Sequence, residues 1–380
     1  MIRSPNLFQT FFSLAFLLTS LSLSAQEINQ QALPERTRIL FVLDGSGSMN
    51  AEWGENQSRM DVAKGILTRL VDSLRVNPKL ELALRVYGHR YSRQANNCTD
   101  SRLEVPFAVN NHNNIINEIK GITPRGVTPI TYSLLQAAND FPPNAGYRNI
   151  LILITDGVES CGGDPCQASI ELQKKGVFLR PFIIGLGVPG GKALDCVGKF
   201  IDSKNSRSFN KILNESIETT FATTTVSVEL LNGESEPVET NLNITFLNSM
   251  TGTAAYEFVH YLDASGKPDS VQIDPVLSYD VVVNTLPRVV RKSVDLINGK
   301  HNVIRIPVPQ GTVIVKPEGK GNPFSAIIRQ HGKGEILHEQ GSFQPYRYLE
   351  GDYEVETLTL PRKIFPITVK AGKTITITLP

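Results

Sequence analysis

Between Arg38 and Ala222 the apolar and polar positions follow two alternating periods. "ILFVLD", "LELALRVYGH", "NILILITD" and "VFLRPFIIGLG" are near-continuous apolar runs, the pattern of strands buried on both faces. Between them the spacing is helical: in "SRMDVAKGILTRLVDSL", Val62, Ile66, Leu67, Leu70, Val71 and Leu74 recur every three or four residues and make one apolar face. Further helices are predicted around Asn114 to Lys120, around Ile130 to Ala138, after Asp164 and Pro165 as cap and first position, near Ala193 to Phe200, and ending near Phe221. "RLEVPFA" follows the second strand after only a polar loop, which predicts an antiparallel hairpin at a sheet edge. Strands alternating with helices predict a doubly wound α/β domain over residues 38–222, its mostly parallel sheet covered on both faces.

From Thr225 onward the helical period disappears, and short alternating strands separated by Gly, Pro and Asn take over. "YDVVVNTLPRVVRKSVDLINGKHNVIRIP" and "YEVETLTLPRKIFPITVKAGKTITITLP" align with each other. Tyr279/Tyr353, Val281/Val355, Leu286/Leu360, Pro287/Pro361 and Arg288/Arg362 match at a constant offset, and Gly299/Gly372 with Lys300/Lys373 match once one residue is dropped. The expectation is two tandem β-sandwich modules, 225–308 and 309–380, each ending in a hairpin.

Composition changes the picture at three points. The start, "MIRSPNLFQTFFSLAFLLTSLSLSAQ", has a sparse basic region, an apolar stretch from about Phe11 to Leu18 and Ala25 at a cleavage position, so residues 1–25 read as a secretory signal peptide. No other run is apolar enough to span a bilayer, and the mature chain is expected to be exported: periplasmic, secreted or at the cell surface. Removing the leader takes one base, Arg3, and leaves 37 bases against 37 acids. That balance, without a basic run, argues against a nucleic-acid partner. Cys98, Cys161, Cys166 and Cys196 make an even set, which in an exported chain favours disulfides. Helix placement allows Cys166 with Cys196, leaving Cys98 for Cys161; a local Cys161–Cys166 bridge is the alternative. A zinc site is disfavoured because "CGGDPC" lacks the two-residue gap and a second ligand pair.

The candidate chemistry lies at the strand ends, where open α/β sheets bind ligands. Asp44, Ser46 and Ser48 in "LDGSGSM" follow the first strand, with Gly45 and Gly47 permitting the turn; Thr128 in "RGVTPI" opens a helix, and Asp156 ends "ILILITD". Two carboxylates and three hydroxyls, with no sulfur or imidazole, suit Mg2+, with Mn2+ or Ca2+ next. Each piece alone has a plain structural explanation as a turn or a helix cap. Their joint occurrence at the strand ends of one domain favours a metal site.

"FVLDGSGSM", "GVTPI" and "LITDG", in that order, resemble the von Willebrand factor A domain with its metal-ion-dependent adhesion site, over about Arg38 to Ala222. The resemblance implies that Asp44, Ser46, Ser48, Thr128 and Asp156 are the metal-binding set, and that the sheet has one antiparallel edge strand. "TDGVESCGGDPC" is similar to an exported bacterial branch of that family. The all-β tail has only a generic likeness to transthyretin-like or carboxypeptidase-regulatory-like modules, which implies no function.

The expected function is an exported, divalent-cation-dependent adhesion or binding protein that is not an enzyme, its magnesium gripping an acidic group on a protein partner. A magnesium-dependent hydrolase is the rival; against it, the site has no base beyond the metal ligands and no phosphate-cradling loop with Lys. A structural envelope protein with a stabilising metal is the third reading. His89, Arg90 and Arg93 in "YGHRYSRQ" either rim the metal face or form a polar hairpin tip. Glu159 either tunes the site or faces solvent, and Trp53 serves as lid or packing residue.

Overall fold

The computed structural model describes residues 34, 36–53, 56–143, 146–181, 183–185, 194, 196–197, 200–202, 223–319 and 322–380. The leader at 1–25 and the helix ending near Phe221 lie outside these residues, as does most of the segment expected as a helix from Ala193 to Phe200.

The first region is built on a five-stranded sheet. In chain order its elements are β1 (Arg36–Asp44), α1 (Arg59–Ser73), β2 (Leu80–Tyr87), β3 (Ser101–Val109), α2 (His112–Gly121), α3 (Ile130–Asp140), β4 (Tyr147–Ile154), α4 (Pro165–Lys174) and β5 (Val177–Pro181). The strand order is β3-β2-β1-β4-β5. Pairing is parallel except for β3, which runs antiparallel to β2 at the edge, with no α-helix in the connection between them. Alternate residues of β1 feed two cores. Ile39, Phe41 and Leu43 pack with α1 and α2, while Leu40 and Val42 pack with α3 and α4. Of the six apolar positions of that helical run named above, the five that lie in α1, and Leu74 just after it, are all buried, each worth roughly 1.5–3 kcal/mol relative to exposure. A capping box between Ser58 and Asp61 starts this helix. The Asp164 side chain accepts from the backbone N–H of Cys166 and Gln167 and starts α4, with Pro165 in its first turn.

The run "VFLRPFIIGLG" does not form one strand. It divides into β5 and β6 (Ile183–Gly185), and β6 pairs in parallel with β7 (Phe200–Asp202) in a separate two-stranded sheet. Pro181 has no N–H to donate, so the ladder beside β4 ends there. Phe200, expected at the end of a helix, begins β7.

The tail is all-β, and its two halves share one topology. The first half contains β8 (Thr225–Leu231), β9 (Leu242–Asn248), β10 (Ala254–His260), β11 (Val271–Gln272), β12 (Tyr279–Val283), β13 (Val289–Val294) and β14 (His301–Pro307). The second contains β15 (Gln310–Pro317), β16 (Ser325–Gln330), β17 (His338–Gly341), β18 (Pro345–Leu349), β19 (Gly351–Thr357), β20 (Ile364–Val369) and β21 (Thr374–Leu379). Sheets β10-β9-β12-β13 and β11-β8-β14 become β17-β16-β19-β20 and β18-β15-β21 when every label advances by seven. In both halves the first and last strands pair in parallel. Tyr279 and Tyr353, aligned in the sequence, play the same part: each hydroxyl donates to a backbone carbonyl just upstream, that of Asp274 or Leu349. Each half has its own apolar cluster.

The regions meet through a few specific contacts. Arg148 at the start of β4 forms a buried ion pair with Asp274, its Nε 2.6 Å from Oδ2. In the tail, Leu286 packs against the second half's cluster, and its carbonyl accepts from the backbone N–H of Leu349 at 2.8 Å. Both disulfides are Cys98–Cys161 and Cys166–Cys196. This pairing excludes the local Cys161–Cys166 bridge and leaves no free cysteine for zinc among the described residues.

Candidate functional site

Strand β1 and strand β4 are neighbours, and their following connections leave toward opposite faces of the sheet. The crevice between them is the switch point of the strand order. Asp44, at the end of β1, is fully buried, and Asp156 just beyond β4 is nearly so. Asp44 Oδ1 accepts from the backbone N–H of Ser46 at 2.7 Å, and Oδ2 accepts from Thr155 Oγ1 at 2.6 Å. Ser46 Oγ lies 3.0 Å from Ser48 Oγ, which donates to Asp156 Oδ1 at 2.9 Å. Thr128 enters from the loop before α3: a methyl group at Gly157 would stand 3.9 Å from both Thr128 Oγ1 and Ser48 Oγ. The five residues singled out in the sequence therefore converge from three loops.

Backbone bonds hold those loops together. Gly47 N–H donates to the Gly126 carbonyl, Arg125 N–H to the Gly45 carbonyl, and Gly126 N–H to the Gly88 carbonyl. Gly45 and Gly47 do not serve by adopting positive φ, as a turn alone would ask. At Gly45 the reason is crowding: a Cβ there would come within 2.7 Å of His89 Cβ and 2.8 Å of the Tyr87 carbonyl. Gly88 combines both demands, with φ of +67° and space for no Cβ beside Val127.

Electrostatically the site is short of positive charge. Burial, and then the nearby Asp156 carboxylate, push the Asp44 carboxyl up to about 6, against the lowering effect of its hydrogen bonds from Ser46 and Thr155. One compensating cation is present: Arg59 Nη1 sits 2.7 Å from Asp156 Oδ2, in the first turn of α1. Neither Arg59 nor Thr155 is evident as a site residue from the motifs. A signal existed for Arg59, because a cation at a helix N-terminus opposes the helix dipole and is favourable only when paired. The chemistry of the set fits a hard divalent cation: buried carboxylates repel each other, hydroxyls stand between them, and no nitrogen or sulfur ligand is among the five.

The neighbouring side chains resolve their alternatives. Glu159 accepts from the backbone N–H of Thr131 and Cys161, both at 2.7 Å, so it ties the third loop to the start of α3 and does not simply face solvent. Trp53 packs on the α1 core. The loop from Gly88 lies against the site by its backbone, but His89 turns to Glu104 at 2.9 Å and Arg90 to the buried Asp100 at 2.8 Å. The Cys98–Cys161 bridge links this loop to the one carrying Glu159.

Comparison with known proteins bears on the α/β region. The von Willebrand factor type A domain family matches residues 39–229, just over half of the chain. Uncharacterized protein YwmD of Bacillus subtilis (strain 168) is 33% identical over 158 residues, covering 39% of this chain and 67% of that protein. Uncharacterized protein YwmC of the same organism is 31% identical over 183 residues, covering 47% and 78%. Among solved structures, the conserved hypothetical protein BatB from Bacteroides thetaiotaomicron is 21% identical, covers 48% of this chain and 97% of its own, and has a TM-score of 0.39. That last likeness adds no argument of its own. With the matching span, the three loops in order and the edge-antiparallel sheet, this chain belongs to the von Willebrand factor type A domain family.

Proposed function

We propose that the chain is an exported adhesion or binding protein which holds Mg2+, or Mn2+ or Ca2+ in its place, with Asp44, Ser46, Ser48, Thr128 and Asp156. The observation that carries this reading is the hydrogen-bonded chain from the buried Asp44 carboxylate through the Ser46 backbone N–H, and from the Ser46 hydroxyl through that of half-buried Ser48 to the buried Asp156, at the switch point of the sheet. When bound, the ion supplies a positive centre with a coordination position that a carboxylate of a protein partner can complete. The chain's own residues prepare the place. Thr155 and the Ser46 N–H fix the Asp44 carboxylate, and Ser48 orients that of Asp156. Arg59 prevents two uncompensated buried charges. The two disulfides fit an oxidising compartment, and among the described residues no helix is long and apolar enough to cross a membrane. The β modules, proposed as separate units at 225–308 and 309–380, serve as spacer or second contact.

The test is capture of a partner from an envelope extract on the immobilised full chain in magnesium. A partner released by chelator, and not retained by Asp44→Ala, supports the reading. Retention through a chelator wash contradicts it.

A further inference from the structure

The tip between β12 and β13 carries Leu286, and the aligned tip between β19 and β20 carries Leu360. Their surroundings differ. Leu286 is half-buried against the cluster of the following module, and its carbonyl is bonded to Leu349 N–H. Leu360 is 94% exposed, with Leu358 at 51% and Ile364 at 59% beside it. So one tip of the duplicated module is buried in a module-to-module contact, and its counterpart presents apolar side chains to water.

We propose that the Leu360 tip docks a further β-sandwich module of the same type, carried by a partner polypeptide, as the Leu286 tip docks the second module here. What such a partner offers is read from the contact already formed: a backbone N–H and an apolar recess at the corner just before the module's buried tyrosine, as at Leu349 before Tyr353. A second copy of this chain cannot offer that corner head-to-tail. In the second module it holds Leu286, and in the first the corresponding corner, Asp274 before Tyr279, is taken by Arg148 of the α/β region. The three exposed apolar side chains supply the driving force by leaving water on docking. The inference stands apart from the metal site.

The experiment uses the full chain lengthened after Pro380 by Val-Pro and a second copy of residues 310–380, which repeats the natural junction at Pro307–Gln310. Leu360→Cys is introduced in the parent and in the lengthened chain, where the four native cysteines are paired, and its maleimide labelling rate is measured. Labelling at least tenfold slower in the lengthened chain supports docking. Equal rates overturn it. So does an appended copy that shows no cooperative unfolding, since the same sequence is folded behind Leu286. A concentration-dependent dimer of the parent chain, dissolved by Leu360→Ser, also overturns it and assigns the tip to a second copy.

Discussion

The α/β region and the β modules treat buried polar groups in opposite ways. In the modules they close corners: Tyr279 and Tyr353 each satisfy a backbone carbonyl, and Gln340 serves the carbonyls of Val313 and Gln344. Such bonds fix a turn. In the α/β region, parallel strands deliver their ends to one edge, so Asp44 and Asp156 are buried close enough to repel, and Arg59 pairs with Asp156 to offset them. Buried like charges are costly unless compensated. Two such carboxylates at a switch point are what the proposed cation would offset.

The buried link between the two regions gives the largest effect. Arg148→Met strands Asp274 and should cost about 3–5 kcal/mol in urea unfolding, while Arg148→Met with Asp274→Leu should recover most of it. A single-variant cost below about 1 kcal/mol, as at an exposed pair, would mean that the regions are not joined there.

Next in size is the pH dependence of the metal-free protein. Asp44 has a carboxyl raised from 3.8 to about 6 in the folded state. Below pH 3.8 it is protonated in both states and carries no penalty. As pH rises from about 4 to about 6 the unfolded chain ionises this carboxyl while the folded protein still holds its proton, and up to roughly 3 kcal/mol of stability is lost by the time the folded group ionises. In chelator the melting temperature of the wild type should therefore fall, relative to Asp44→Asn, between about pH 4 and pH 6, and run parallel to it above. Parallel curves for the two proteins across that fall as well would remove the buried charge from the account.

A smaller effect is expected at Arg59. With Arg59 paired to Asp156, the site presents less negative charge to an ion, so Arg59→Gln should tighten magnesium by about tenfold, or 1.4 kcal/mol. Calorimetry showing weaker binding would make Arg59 a support of the site and not its counter-charge. Smallest are the corner tyrosines. Tyr279→Phe and Tyr353→Phe should each cost about 1 kcal/mol, and a cost at only one of them would break the equivalence of the modules.

Much of this was legible from local pattern. The α1 face, the Asp164 cap and the β3 hairpin depend on neighbouring residues, and they appear where periodicity and capping chemistry put them. That the motif loops would meet was legible because each sits at a strand end or a helix start. Arg59 was not legible as a site residue from the motifs, since its pairing with Asp156 joins the first turn of α1 to the end of a strand far along the chain. The split of β5 from β6 was signalled by Pro181, but the pairing of β6 with β7 is a long-range outcome that no local period encodes. The repeat of Tyr, Leu and Pro is matched by the shared topology of the tail's two halves, while the contrast between a half-buried Leu286 and an exposed Leu360 depends on what stands beside each tip.

The central claim is that Asp44 belongs to a cation site and not merely to a turn. The most direct measurement is the melting of wild type and Asp44→Ala at pH 7, each in chelator and in magnesium. At about 100-fold excess over the dissociation constant, mass action adds roughly 2.7 kcal/mol to a protein that binds only when folded. The account predicts that increment for the wild type and none for Asp44→Ala, with both folded by circular dichroism. Identical melting of the two proteins in magnesium and in chelator, up to millimolar magnesium, would contradict it.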